Sequence, residues 1–87
     1  MAAPSSRLAR RIRLDFPGSD DALALVEQLD VDERVQAAVV LWASGDSARL
    51  ADAAALVQLD WRDALVRAGL ADDDWVERLD AALGLRE

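Results

Sequence analysis

The 87-residue chain has no cysteine, histidine, lysine or tyrosine, two prolines and a single phenylalanine. Without cysteine or histidine there is no disulfide framework, no zinc site of the usual ligands, no thiol nucleophile and no imidazole base. The five serines, Ser5, Ser6, Ser19, Ser44 and Ser47, have no histidine, lysine or tyrosine to activate them. The four glycines stand singly, so no glycine-rich loop is available to cradle a phosphate. The longest unbroken apolar run, Ala37 to Ala43, is far short of the roughly 20 residues of a membrane span. Residues 1–16 lack an uninterrupted apolar stretch and predict no secretory signal, so a reducing cytoplasm is the expected location. These gaps predict a protein that is not an enzyme and holds no cofactor and no metal.

Apolar residues make up 53 % of the chain, enough for one small core; 18 of them are alanine, leaving 28 larger side chains to fill it. All ten cations are arginine, and their placement is uneven. Residues 1–18 carry Arg7, Arg10, Arg11 and Arg13 against Asp15 alone, a net +3, whereas residues 19–87 carry six arginines against sixteen acids, a net −10. A basic arm on an acidic body points to contact with an anionic target or with acidic protein surface, while the body itself suits a basic partner.

Met1 to Ser6 is small and polar, and residues 1–8 are expected to form a disordered lead-in to a single small helical domain over 9–87. From Arg10 to Phe16 polar and apolar residues alternate, with Ile12, Leu14 and Phe16 on one side and Arg11, Arg13 and Asp15 on the other. That period predicts a short β-strand over about 10–16, closed by Pro17-Gly18. A lone strand must find a partner for its backbone groups, and the same strand of a second copy, giving a homodimer through residues 10–16, is the expected one.

After Ser19 the punctuation is helical. Ser19 reads as an N-cap ahead of Ala22, Leu25, Val26 and Leu29, and Asp30-Val31-Asp32-Glu33 as a capping box for a second helix that Gly45 ends. A third helix is predicted from Asp46 or Ser47 to about Gln58, a fourth from the cap Asp60 to Gly69, and a fifth from the cap Asp72 to Gly84. The fold class is therefore mainly α, one strand followed by about five short helices in a compact orthogonal bundle.

Few residues carry chemistry. Asp72, Asp73 and Asp74 form the densest acid cluster; it lacks the alternating spacing of a calcium loop and reads as helix capping or as an acidic surface for a partner, with a carboxylate cation site as the minor alternative. Trp42 lies in an apolar run and is assigned to the core, whereas Trp61 and Trp75 each follow an aspartate and are either packed at the start of a helix or exposed as partner anchors.

Two resemblances bear on function. A strand with outward arginines followed by two helices, over residues 10–44, resembles the ribbon-helix-helix DNA-binding fold; this implies Arg11 and Arg13 in a major groove, Arg7 and Arg10 on phosphates, and Ile12, Leu14 and Phe16 in a dimer core. Asp30, Asp32 and Glu33 depart from that pattern, since the family holds a phosphate at the start of its second helix. The segment Leu50 to Asp63 looks like a helix-turn-helix with Gln58 where glycine is usual, and residues 10–70 as a whole are similar to small prokaryotic antitoxin-like proteins. That resemblance implies a non-catalytic module whose acidic body caps a basic toxin, with a DNA-binding autoregulator as the alternative.

Overall fold

The computed structural model describes residues 3–18 and 20–84. Five helices follow one another: α1 (Ser6–Asp15), α2 (Asp20–Gln28), α3 (Glu33–Ala43), α4 (Ser47–Ala68) and α5 (Trp75–Leu83), with no strand among the described residues. The mainly helical expectation holds, and the strand does not.

Residues 10–16 lie in and just after α1. The Ser5 hydroxyl caps this helix by accepting from Leu8 N, and Phe16 N donates back to Ile12 O at 2.8 Å. The reason lies in a second period within the same residues. Leu8, Ile12 and Phe16 are four apart, and all three are buried in the core. Ile12 and Phe16 share a face under either period; Leu14 separates the two, and it is 72 % exposed. The ribbon assigned to pairing between copies is thus a helix whose backbone bonds are made within itself, and the homodimer built on it loses its basis. Arg7 and Leu8, assigned to the lead-in, are buried in α1. Pro17-Gly18 closes the segment as expected, with Gly18 at φ 76°.

Ser19, the expected cap of α2, lies outside the described residues. Below it α2 buries Ala22 and Val26 and lays Leu23 and Leu25 against the core, joined there by Leu29 just past its end. The next junction is shifted by two residues from the capping box expected at Asp30. Asp30 instead takes a left-handed conformation (φ 51°), and Asp32 caps α3 by accepting from Val35 N at 3.1 Å. Helix α3 is buried almost all round through Val35, Gln36, Ala37, Ala38, Val39, Val40 and Ala43. Trp42, assigned to the core, is half-buried and packs against it, with Arg49 and Arg67 each over its ring at 5.7 and 5.2 Å. Ser44 and Gly45 are both left-handed, and a Cβ on Gly45 would stand 3.1 Å from Asp15 O, so this turn passes close beside the end of α1.

Helix α4 packs chiefly on α3 and joins the third and fourth expected helices across a kink at Asp60 (φ −155°, ψ 92°). The aspartate accepts from Arg62 N at 3.1 Å and Asp63 N at 3.4 Å, which is an N-cap placed inside a continuous element. Small residues Ala53, Ala54 and Ala64 let α4 lie close to its neighbour. At the far end Gly69 N donates to Val66 O and Leu70 N to Leu65 O, and Leu70 is buried. Asp74, rather than Asp72, precedes the first residue of α5; its carboxylate makes no cap bond and accepts from Arg78 Nε at 2.8 Å. No helix among the described residues is long and apolar enough to cross a membrane.

Candidate functional site: a buried arginine staple and an apolar elbow

The four N-terminal arginines, all expected to contact DNA or a partner, are divided between the interior and the surface. Arg7 is only 3 % exposed. Its Nε and Nη2 donate to the two oxygens of Glu33 at 3.0 and 2.6 Å, a bidentate pair, while Nη1 donates to Asp80 Oδ1 at 2.5 Å and Gly84 O at 2.8 Å. The Ser5 hydroxyl donates to the same Glu33 carboxylate. The hydrogen bonds to Glu33 raise the Arg7 pKa above its ordinary value; burial opposes them, and Asp80 adds to the rise. One side chain therefore ties α1 to the start of α3 and the end of α5.

Arg11, half-buried, donates from Nε to both Asp15 oxygens at 3.1 and 3.0 Å and from Nη1 to Ala82 O at 3.0 Å, a second tie to α5. Arg10 and Arg13 are exposed. Of the residues expected to meet DNA or a partner, Arg7 is thus withdrawn from solvent, Arg11 is engaged at the α1–α5 junction, and Arg10 and Arg13 reach the surface.

The two candidate tryptophan anchors also part company. Trp75 is half-buried against the core, and the Arg34 guanidinium lies 4.4 Å over its ring while donating to Leu70 O at 2.8 and 2.6 Å. Trp61 is 46 % exposed, the first residue after the Asp60 kink, with the Arg62 guanidinium 5.2 Å from its ring. One wall of a cavity of about 200 Å³ is its ring; Val31, Asp32 and Val35 supply the rest.

Leu59, which sequence reasoning did not single out, stands 87 % exposed on the other side of the kink, and Val66 is exposed further along α4. A signal for Leu59 was present. It occupies the position before an N-cap, where an apolar residue normally packs onto the fourth residue of the helix. That residue here is Ala64, buried and too short to reach back.

Asp72 and Asp73 are exposed, as an acidic partner surface requires, while Asp74 is paired with Arg78, whose pKa this bond raises. No group of three or more acidic, histidine or cysteine side chains among the described residues is arranged to hold a metal ion. Compared with protein families, curated proteins and solved structures, the chain matches none.

Proposed function

We propose that this chain is a non-catalytic interaction module, antitoxin-like in kind and acting in the cytoplasm, whose acidic helical body binds a basic partner protein. The observation that carries the reading is the inward turn of the N-terminal cations. Arg7 is spent on Glu33 and Asp80 and Arg11 on Asp15, so these two arginines of the arm serve the fold. The acids stay outside: Asp20, Asp21, Asp32, Asp46, Asp52, Asp60, Asp72, Asp73 and Glu77 are all exposed. A surface of that sign repels a polyanion and attracts a cationic protein. The DNA-binding alternative keeps Arg13 exposed on α1, but Arg11, its expected companion in the groove, is bonded to Asp15 and Ala82 O, and the ribbon that would have carried both is a helix.

The two readings separate in titrations of the full chain with a cationic amphipathic peptide of alternating leucine and lysine turns and with duplex DNA, read by calorimetry. The peptide is expected to bind, with affinity falling as salt rises, and the duplex to give no heat. Binding of the duplex with no response to the peptide would overturn the proposal.

A further inference from the structure

We propose that the cavity at the elbow of α4 is the docking site for one apolar side chain of a basic amphipathic segment of a partner protein, with a neighbouring lysine or arginine of that segment set against Asp32. The inference rests on the basic-partner reading above and gives it a place.

The size of the cavity, shared with other surface cavities of about 170–290 Å³, fits a small occupant, and its lining and charge distinguish it. At about 200 Å³ it is below the roughly 300–1,000 Å³ of small-molecule sites and suits a single side chain. Its walls are apolar on two sides, Val31 and Val35, aromatic on the third, Trp61, and acidic at one point, Asp32. Asp32 Oδ1 accepts from Val35 N, and a carboxylate keeps lone pairs beyond that one bond to accept from a cation. Leu59 and Trp61 flank the kink in sequence, and both expose apolar surface that the core does not use. A tryptophan in such a place is the residue type that most often dominates a protein interface.

Charge selects the partner. Asp32 lines the cavity with Trp61, and Asp60 directly precedes Trp61 in the chain; Asp63, two residues on, is paired with Arg67, and the Arg62 guanidinium lies 5.2 Å from the ring. A second copy of this chain, itself carrying a net charge of −7, would bring like charge to this acidic rim, whereas a basic segment complements it. Arg62 opposes such a segment, and its removal is expected to favour docking.

The test measures anisotropy of the labelled leucine-lysine peptide with the full chain and four variants, each first shown by circular dichroism to be folded. Trp61→Ser, which removes the aromatic wall of the cavity, is expected to weaken binding about tenfold, as loss of an interface anchor does. Asp32→Asn keeps the cap, because asparagine serves at that position as well as aspartate, and removes the charge at a cost of about threefold. Arg62→Ala is expected to tighten binding by about threefold. Leu14→Ser, on α1 away from the elbow, is expected to leave it unchanged. Equal affinity for all variants, or loss with Leu14→Ser alone, would move the site elsewhere and overturn this inference while leaving the basic-partner reading standing. No binding by the parent chain would overturn both. Self-association abolished by Trp61→Ser would overturn the inference by making a second copy the occupant.

Discussion

Arg7→Met is expected to destabilise the fold by about 3 kcal/mol, because it leaves two carboxylates facing an apolar side chain in place of a guanidinium that satisfied both. The value sits at the lower end of the range for breaking a buried pair, since the Glu33 and Asp80 side chains are 29 % and 27 % exposed and regain some water. For a domain of this size that corresponds to a fall in Tm of about 15 °C. Arg7→Lys is expected to recover only part of the loss, since an ammonium cannot reproduce the paired Nε and Nη2 bonds to Glu33. Urea unfolding of the two variants beside the parent measures both effects. Parent-like stability of Arg7→Met would mean that α1 is held without its staple.

The second large effect distinguishes the two periods in the N-terminal segment. Ile12→Ala removes a side chain 1 % exposed in the core and is expected to cost about 3 kcal/mol, within the range for large-to-small core substitutions. Leu14→Ala touches a residue that is 72 % exposed and is expected to change stability by less than about 0.5 kcal/mol. A paired strand would bury Ile12 and Leu14 together and make the two substitutions costly alike. Matching losses in thermal unfolding, and a dependence of Tm on protein concentration, would restore the ribbon.

Much of the helical layout was legible because short polar residues and glycines mark its boundaries. Asp46 caps α4, Asp60 caps its second half, and Gly69 and Gly84 follow the last residues of α4 and α5 at positive φ. The boundaries that were misplaced, at Asp30 and Asp72, lie in runs of acids where several residues compete for one cap, and three-dimensional contacts choose among them. Glu33 is committed to Arg7 and Asp74 to Arg78, so neither plays the role that local sequence assigns it. The N-terminal segment misled for a related reason. Alternation and four-residue spacing coincide at Ile12 and Phe16, and the deciding partners of Arg7, Glu33 and Asp80, are 26 and 73 residues away in the chain.

The candidate site was half legible. Trp61 stands at the surface as an anchor would, whereas Trp75 follows an aspartate in the same way and lies under Arg34. The cavity beside Trp61 needs Val31 and Val35 from α3 and the residues before it, and no local pattern in α4 foretells that meeting.

The central claim is that the acidic helical body, and the α4 elbow within it, is the interaction face rather than the arginine-bearing α1. Amide chemical-shift mapping of the isotope-labelled chain during titration with the cationic peptide tests it most directly. The account predicts shifts concentrated at residues 31–35 and 59–66, with Arg10, Arg13 and Leu14 unmoved. Shifts centred on α1 and absent from the elbow would contradict it.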